Sequence, residues 1–420
     1  MSILILRIKD FGFDINKFLT KTLNVNQSYL NNFDLIEKKR FIYCDGFKRE
    51  LKTLGESCVE IIANNFFLQK KWCQEKNLKF DKNKWYNDIL KNQINYYNPK
   101  ILYFEGNIYL DFNFLKRLKQ KHKFKIVIRS GLPLNKNQKE VSDIILAATP
   151  CLNNLYNQEN FNSFLIYHYF DKEILNEIRV KSFKEKKNTP VFVGSSGFNS
   201  SNKLTKRYFF LQKLVSNIEM DFFLFEGKKI SLINLLKRKF IYLLKFSILF
   251  FSKYFDFLLK KYSFYENFRS KREIFMNNHL LNPNIKNFFF NPKKPLKEIF
   301  PTKINDSKFG IDLYQKISDH KMFINSHVDN IYSAGNLKMF ESTGMKTALF
   351  VEKFDNLKDI FIEGEEIVSY SNFEDLKNKI KFYNNNQDEL HSIAVKGHDR
   401  TIKYHSTQAR IKDILEILKN

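Results

Sequence analysis

The sequence is poor in cysteine, and the spacing of its cysteines excludes two kinds of site. Cys44, Cys58, Cys73 and Cys151 include no pair at C-x-x-C spacing, and no histidine cluster accompanies them. A structural zinc site and a disulfide framework both require such groupings. We therefore expect reduced thiols, a cytoplasmic protein and no metal site.

Long uncharged apolar runs are also missing. No stretch reaches the roughly 18 residues that a membrane-spanning helix needs. The opening "MSILILRIKDFGF" is short and lacks the basic start of a signal peptide, so we expect it to form a first strand.

A nucleic-acid-binding motif is a third absence, although the formal charge is +25. The basic residues are spread along the chain, and most are lysine in a sequence crowded with Asn, Ile and Phe. That composition is typical of an AT-rich genome, so we attribute the charge to compositional bias and expect no specific nucleic-acid partner. A diffuse basic surface remains compatible with acidic lipid.

What the sequence does contain is an alternation of short apolar runs and helical patterns. Strand candidates include "SILILRI", Ile101–Phe104 and Lys125–Ile128, each separated from the next by a helical segment. This alternation predicts an α/β fold with parallel strands and helices on both faces.

The series of units starts a second time after a polar, charged segment, Val180–Pro190. A new strand, "PVFVGSS", follows that segment directly. We therefore predict two tandem Rossmann-like domains, residues 1–187 and 188–420, with a cleft between them. The second domain would carry a Phe- and Lys-rich helical insertion at about 230–300 and a closing helix from about Asp388 onward.

A glycine-serine turn at the start of the second domain is the first candidate site. Gly194, Ser195 and Ser196 follow a predicted strand and precede a helix. Small residues at such a turn let backbone N–H groups approach a phosphate, and Arg207 with its neighbouring lysines would add positive charge. The alternative is that these residues form only a turn.

The stretch "GNLKMFESTGMKTALFVEK" is the stronger candidate. It predicts a helix that begins near Asn336 and ends at Gly344, followed by a buried strand. The helix N-terminus would attract a diphosphate, with Lys338 beside it. Glu341 would accept hydrogen bonds from two ribose hydroxyls. In the alternative, Glu341 is a structural residue paired with Lys338 or Lys346.

Two histidines at predicted strand ends face the same choice between a role in binding and a role in packing. His327 follows the strand "MFIN", and His168 lies in "LIYHYFD" of the first domain, where it could face an acceptor. We take both as candidate catalytic residues.

The C-terminal sequence resembles a known enzyme family. "INSHVDNIYSAGNLKMFESTGMKTALFVEK", the following "GEEIVSY" and the closing "KGHDRTIKYHSTQAR" are similar to segments of group-1, family-four-like glycosyltransferases of the spore-maturation type. "FVGSSG" with the later Arg207 matches the start of the same domain. The resemblance implies the GT-B fold and a metal-independent glycosyltransferase without a cofactor, in which a nucleotide-sugar donor is the co-substrate.

By this resemblance, the donor site comprises the residues just described. Glu341 would bind the donor ribose, with Asn336, Lys338 and His327 flanking the donor and Gly344 completing the helical motif. Gly194–Ser196 would meet the diphosphate. The sequence departs from the family at two positions: Lys338 replaces an arginine, and Ser333 stands where related enzymes place another glutamate. No sugar-positioning carboxylate and no stereochemical outcome follow from the resemblance.

The insertion contains an amphipathic pattern at 235–264. On a helix, polar residues gather on one side and Phe, Ile, Leu and Tyr occupy the rest, as in helices that lie on membranes; the polar set is Arg238, Lys245, Ser252, Lys253, Asp256 and Lys260. The alternative is a helix that packs in the core.

We therefore expect a glycosyltransferase that acts on a glycan, lipid-linked or protein hydroxyl acceptor, in cell-envelope or surface glycan synthesis. It would be cytoplasmic, with peripheral association at the inner membrane face through 235–264 as a further expectation. Two alternatives remain open: another nucleotide-sugar enzyme such as an epimerase, and an inactive protein that binds membranes or polyanions.

Overall fold

The structure, a computed structural model, describes residues 3–41, 45–106, 112–198, 205–227, 293–327, 329 and 331–419, with scattered positions between 236 and 269. These residues form two six-stranded sheets in which every pair of neighbouring strands is parallel. The predicted α/β class with two Rossmann-like units is thereby confirmed.

The first sheet has the order β2-β1-β3-β4-β5-β6, so the direction in which strands are added reverses between β1 and β3. Its strands are β1 Leu4–Asp10, β2 Ser57–Ile62, β3 Ile101–Gly106, β4 Lys125–Ser130, β5 Ile144–Ala147 and β6 Ser163–Leu165. The helices of this part are α1 Phe13–Thr20, α2 Tyr29–Glu37, α3 Gly46–Thr53, α4 Phe66–Glu75, α5 Trp85–Tyr97, α6 Phe112–Lys121, α7 Lys136–Val141 and α8 Pro150–Gln158.

The second sheet has the order β12-β11-β10-β7-β8-β9 and reverses between β7 and β10. Its strands are β7 Val191–Ser195, β8 Asp221–Phe225, β9 Ile304–Asp306, β10 Met322–Ile324, β11 Ala348–Glu352 and β12 Val368–Tyr370. The helices are α9 Thr205–Asn217, α10 Asp256–Leu259, α11 Leu296–Ile299, α12 Ile311–Ser318, α13 Leu337–Gly344, α14 Phe373–Asn385, α15 Gln387–Tyr404 and α16 Thr407–Lys419. Three short 3-10 helices complete the description: Lys172–Asn176, Phe183–Glu185 and Asp355–Asp359.

The strands are buried on both faces, as parallel sheets require. All four residues of β5 are buried, and so are the first four of β11. Because β8 and β9 are neighbours in the second sheet, the segment with the predicted insertion connects adjacent strands. Most of the amphipathic pattern at 235–264 lies outside the described residues.

The end of the chain returns to the first sheet. The prediction of one closing helix is wrong, because α15 and α16 are separated at His405 and Ser406. There the N–H of Phe170 donates to the His405 carbonyl at 2.9 Å, and the N–H of Thr407 donates to the Phe170 carbonyl at 2.9 Å. Helix α16 then packs apolar side chains against α3 and the first sheet; they are Ile411, Ile414, Leu415 and Leu418. The proposed boundary at 187/188 remains a prediction.

The first sheet also contains a buried ion network. Arg7 of β1 pairs with Glu60 of β2 and donates from Nε to Glu105 of β3 at 2.8 Å. Arg129 of β4 lies 3.3 Å from the same Glu105 carboxylate. Burial of these charges is tolerated because each has an opposite charge within reach.

Among the helices that the structure describes, none has the length and apolarity needed to cross a membrane.

Candidate functional site

The site lies where the second sheet reverses its order. In open parallel sheets, ligands bind outside the carboxyl ends of the strands at such a reversal. The ends of β7 and β10 and the start of α13 meet there. A cavity of about 340 Å³ lies beside them, lined by Ile15, Arg40, Phe41, Gly194, Ser195, Phe223, Phe225, Ser307, Lys308, Phe309, Gly310, Leu313, Tyr314, Lys338 and Glu341.

Glu341 is a buried carboxylate at the wall of this cavity, with 3% of its side chain exposed. The hydroxyl of Tyr314 donates to Oε1 at 3.1 Å, and the ammonium of Lys338 pairs with Oε2. The predicted structural pairing with Lys338 is therefore present. It does not exhaust the carboxylate, because two ionised oxygens accept about four hydrogen bonds. Glu341 can hold Lys338 and still accept bonds from two hydroxyl groups.

The N-terminus of α13 offers backbone donors. Asn336 occupies the N-cap position, but its side chain makes no capping hydrogen bond. Its Nδ2 donates instead to Oδ1 of Asn325, at the end of β10, over 3.2 Å. The first turn of a helix leaves N–H groups without intrahelical acceptors. Together with the helix dipole, these groups favour a negatively charged ligand.

Several buried polar atoms around this helix end have no hydrogen-bond partner among the described residues. The set comprises donors and acceptors from five side chains: Arg207 Nε, Asn325 Nδ2, His327 Nε2, Asp329 Oδ1 and Asn336 Oδ1. A buried polar group without a partner costs roughly 1–3 kcal/mol. Their concentration at one place indicates a site for a polar ligand.

His327 belongs to this cluster and is held by Glu352 at the end of β11. Both the backbone N–H and Nδ1 of His327 approach Oε2 of Glu352, at 3.0 and 3.2 Å. Phe354 packs against the ring at 4.6 Å between centroids. With Nδ1 donating to a carboxylate, Nε2 carries a lone pair in the neutral ring, so it can accept a hydrogen bond or a proton.

Arg207 brings a positive charge from the first turn of α9. Its NH2 donates to the carbonyl of Ser326 at 2.5 Å. Burial lowers the pKa of Arg207 to about 10, although the nearby carboxylates of Glu352 and Asp329 favour the charged form. The guanidinium is therefore still charged at neutral pH and available to an anion.

The glycine-serine turn lies at the wall of the cavity. Gly194 and Ser195 do line the cavity that Glu341 borders. The N–H of Ser196, however, donates to the Phe225 carbonyl at 3.1 Å, and the N–H of Gly197 donates to the Ser195 hydroxyl at 3.3 Å. These two donors are used within the protein, and Gly194 and Ser195 shape the cavity wall; that the turn meets the diphosphate stays a prediction.

Gly344 ends α13 as predicted but lies away from the cavity. A Cβ atom at Gly344 would stand 2.5 Å from Cγ of Phe170, which belongs to the chain segment after β6. The left-handed residue beyond the helix is Lys346, with φ of 52°. Gly344 is thus required by packing against Phe170, and a part in the donor site stays a prediction.

His168 lies across the cleft, at the carboxyl end of the first sheet. Its Nδ1 is 3.4 Å from both NH1 and NH2 of Arg129. Burial, together with repulsion by Arg129, holds the pKa of His168 well below its usual value. The ring is therefore neutral, and Nδ1 faces a guanidinium that can only donate. The proton must then be on Nε2, which makes His168 a hydrogen-bond donor and not a base.

Ser333, where related enzymes have a glutamate, contacts the first part of the chain. Its hydroxyl accepts a hydrogen bond from the N–H of Cys151 at 3.2 Å, in the first turn of α8. Gly335, with φ of 130°, lies against the ring of Tyr167. The loop before α13 therefore joins the two parts, and at this position it presents no carboxylate.

Among the described residues, no three His, Cys, Asp or Glu side chains group as metal ligands would.

Three site residues were not anticipated from the sequence. Asn325 follows β10 directly, so the rule that found His327 could have found it too. Glu352 ends β11, so the same rule applies to it, whereas Tyr314 gave no such signal. Tyr314 lies 27 residues before Glu341 and Glu352 lies 25 residues after His327, so only the folded chain brings each pair together.

A family of known proteins matches the part of the chain that contains most of the candidate site. Residues 297–416 match the family model described as glycosyl transferase-like. This segment contains His327, Asn336, Lys338 and Glu341. A comparison with curated proteins gave no significant match.

Solved structures of similar fold cover the whole chain. A glycosyltransferase from Rickettsia africae aligns over 100% of this chain and 98% of its own, with 12% identity and a TM-score of 0.53. A sucrose-phosphate synthase from Thermosynechococcus elongatus aligns over 100% and 98%, with 9% identity and a TM-score of 0.54. Anabaena HepE in complex with UDP-glucose aligns over 100% of both chains, with 8% identity and a TM-score of 0.52. These similarities concern the fold, and they confirm the predicted GT-B architecture.

Proposed function

We propose that this protein is a glycosyltransferase that uses a nucleoside-diphosphate sugar as donor and a hydroxyl group as acceptor. One observation carries the proposal. A cavity bordered by the buried carboxylate of Glu341 adjoins a helix N-terminus, around which several buried polar atoms have no hydrogen-bond partner in the part of the chain that the structure describes. The cavity suits a nucleoside, and the helix N-terminus suits a diphosphate. The glycosyl transferase-like match over 297–416 contains Glu341 and the start of this helix.

The donor would lie with its ribose at Glu341 and its diphosphate at the start of α13. The carboxylate accepts hydrogen bonds from the two ribose hydroxyls, while Lys338 and Arg207 supply positive charge. When the bond between the sugar and the diphosphate breaks, negative charge grows on the leaving oxygen. Backbone N–H groups and a buried guanidinium stabilise that charge without having to reorganise.

The two histidines would serve different purposes in this reaction. His327, oriented by Glu352, offers Nε2 as an acceptor beside the donor. His168 approaches from the first part of the chain as a donor, suited to an acceptor oxygen or an anionic group. The acceptor oxygen forms its bond to the sugar carbon as the bond to the diphosphate breaks, and the hydroxyl proton passes to the departing diphosphate. The two parts of the protein hold both substrates in one cleft.

Finer features of the proposal come from the sequence. A reaction whose charge is stabilised by the groups above is consistent with a metal-independent enzyme of the spore-maturation type. A lipid-linked or envelope glycan acceptor and peripheral attachment at the inner membrane face would follow if 235–264 binds lipid. The acceptor could equally be a glycan or protein hydroxyl in the cytoplasm.

The proposal is tested by thermal-shift and calorimetric titration with UDP, CDP, ADP and GDP and their sugar derivatives. A ligand at 100 times its Kd stabilises a protein by about 2.7 kcal/mol, which is readily measured. We expect at least one of these diphosphates to bind the wild type. The control variant Glu389→Gln, at an exposed position, should bind it equally well. Failure of all to bind would contradict the proposal, and so would conversion of a nucleotide-sugar into an isomer without release of diphosphate.

A further inference from the structure

The cavity beside Glu341 has walls from both parts of the chain. Its inner wall comes from β8 of the second sheet, with Phe223 and Phe225, and from Leu313 of helix α12. The facing wall comes from the first part and consists of Ile15, Arg40 and Phe41. A ligand that fills this space must contact residues on either side of the cleft.

The facing wall is held in place by direct contacts between the two parts. The N–H of Ile311 donates to the carbonyl of Lys39 at 3.1 Å. The rings of Phe41 and Phe309 stack, with centroids 6.3 Å apart and an interplanar angle of 21°. Gly310 has φ of 55°, and a Cβ there would overlap the Lys39 carbonyl oxygen. The residues that close the cavity are therefore the ones that join the two parts.

Arg40 fixes the same loop from its other side. Its Nε donates to Glu177 at 2.7 Å and its NH1 donates to Asp45 at 2.5 Å. With its charge engaged by these carboxylates, Arg40 contributes its aliphatic stem to the cavity more than its positive charge. The loop 39–41 is thus a defined surface that the second part of the chain recognises.

The chemistry of the cavity indicates what would occupy it. Four phenylalanines, Ile15 and Leu313 give the cavity its apolar and aromatic lining, and Glu341, Lys338 and Tyr314 form one hydrogen-bonded polar group in its wall. A flat aromatic base attached to a ribose has the same division, with an apolar face at one end and hydroxyl groups at the other. Aromatic side chains bind bases through stacking, and this contact is insensitive to the pattern of polar groups on the base edge.

We propose that Phe41 and Ile15 of the first part form one wall of the nucleobase site, so that nucleotide binding and seating of the loop 39–41 on residues 309–311 are coupled. This inference rests on the proposed function and deepens it. Coupling of this kind is reciprocal: a nucleotide that stabilises the seated loop binds more weakly when the loop is prevented from seating.

Hydrogen exchange of the wild-type protein tests the coupling without any substitution. The probe is whichever of UDP, CDP, ADP and GDP binds most tightly. We expect saturating nucleotide to slow exchange at 36–41 of the first part and at 309–315 of the second. Protection confined to the second part would overturn the inference.

Variants provide a second test. We expect Phe41→Ala to weaken nucleotide affinity by about tenfold or more, as loss of one stacking side chain does. Phe164→Ala, which removes a half-exposed ring on β6, should bind as the wild type does. Phe41→Leu preserves an apolar side chain in the core and serves if Phe41→Ala does not fold; it should weaken binding less than the alanine variant would.

The outcomes separate this inference from the proposed function. If nucleotide binds, depends on Glu341 and is unaffected by Phe41 substitutions, the inference falls and the proposed function stands. If none of the four diphosphates binds, both fall.

Discussion

At the scale of single residues, Glu341 shows how a structural and a binding role can coexist. A carboxylate this buried needs partners, and Tyr314 and Lys338 provide them. The same arrangement keeps the carboxylate oriented at the cavity wall. A residue that would be costly to bury without a partner is thus placed where a ligand can use its remaining acceptor capacity.

The first prediction concerns Glu341→Gln. The substitution keeps the shape but converts one acceptor into a donor and weakens two charge-assisted bonds, each contributing roughly 1.5–3 kcal/mol before water compensates. We expect nucleoside-diphosphate affinity, measured by calorimetry, to fall by about one to two orders of magnitude. The melting temperature of the ligand-free protein should change little, because Tyr314 can still donate to the amide oxygen.

A 2′-deoxy nucleotide supplies the control for this prediction. It should bind the wild type weakly and lose little more affinity in Glu341→Gln, since both changes delete the same contact. Lys338→Met removes the ion pair and leaves the Glu341 carboxylate, so its nucleotide affinity and melting temperature show what the ion pair alone contributes. A lower melting temperature with unaltered nucleotide affinity would show that Glu341 is structural only.

His405 gives a second prediction, on pH dependence. It is 3% exposed, lies between the rings of Phe340 and Phe361, and accepts a hydrogen bond at Nδ1 from Arg410 at 2.5 Å. Burial, with repulsion by Arg410, lowers the pKa of His405 to about 3. The unfolded chain has a histidine pKa near 6.5. Neutral, buried His405 therefore makes its full contribution to the stability of the folded protein above about pH 6.5. This contribution is lost progressively as the pH falls toward 3.

Urea denaturation at pH 7.5 and pH 5 measures this effect. The unfolded state binds the extra proton in that interval, so His405 alone should cost about 2 kcal/mol of unfolding free energy at pH 5. The variant His405→Gln cannot titrate and should lose correspondingly less between the two pH values. Equal losses in both proteins would show that another group governs the acid sensitivity.

At the scale of elements, α13 is positioned at both ends. Its N-terminus faces the polar cluster, while its C-terminus packs on Phe170 through Gly344. Docking of this helix therefore orients the candidate site. The short length of α13 means that packing, more than intrinsic helix propensity, must hold it in place.

Gly344→Ala tests this account of α13 because two effects oppose each other. Alanine in a helix is favoured over glycine by up to about 1 kcal/mol. The new methyl group would overlap the Phe170 ring, and overpacking typically costs about 1–3 kcal/mol. We expect net destabilisation in urea denaturation. Gly12→Ala, where a Cβ meets no atom within 4 Å, is the matched control. A more stable Gly344→Ala protein would contradict the packing role.

The amphipathic pattern at 235–264 gives a prediction at the same scale. The residues Phe246, Leu249 and Phe250 at its centre lie outside the described part of the chain. At described positions, large apolar side chains are exposed, among them Leu236, Phe240 and Leu243. An apolar stripe beside basic residues is typical of a helix that binds anionic membranes.

We therefore expect the wild type to bind vesicles that contain anionic lipid, with binding that weakens as salt rises. Replacing Leu236, Phe240 and Leu243 by serine should lower vesicle binding at least tenfold through loss of apolar burial. Nucleotide binding should be retained. A control with serine at the exposed Val25 and Leu30 should bind vesicles normally. If the triple variant unfolds, the segment packs in the core instead.

At the scale of the whole molecule, the two parts are joined at more than the linker. Helix α16 covers the first sheet although it ends the chain, and the loop before α13 contacts α8 through Ser333. If the chain is divided after residue 187, the first part therefore lacks the helix that covers one apolar face of its sheet.

This arrangement predicts the behaviour of fragments. Residues 1–187 alone should leave exposed the apolar surface that Ile411, Ile414 and Leu418 cover in the full chain. We expect this fragment to unfold without cooperativity and to bind a hydrophobic dye. Addition of a peptide spanning 405–420 should restore a cooperative thermal transition. A fragment that melts as the intact protein does would show that α16 is dispensable to the first part.

The sequence by itself determined the α/β class, the order of most elements and the position of the candidate donor site. Strand and helix periodicities are local, and so is the helix from Asn336 to Gly344. The assignment of Glu341 and His327 to one donor site came from the resemblance to glycosyltransferases, because the local patterns left a structural role open for each of them.

Only the tertiary structure decided which partners these residues have. It showed that the Ser196 and Gly197 N–H groups are already used, that Gly344 packs on Phe170, and that the chain breaks its last helix at His405. It also showed that a loop 300 residues from Glu341 in sequence, 39–41, closes the cavity. Hydrophobic patterns are non-directional and mark a buried face without naming what covers it. The sequence could therefore suggest that the two parts meet, but not which residues make the contacts between them.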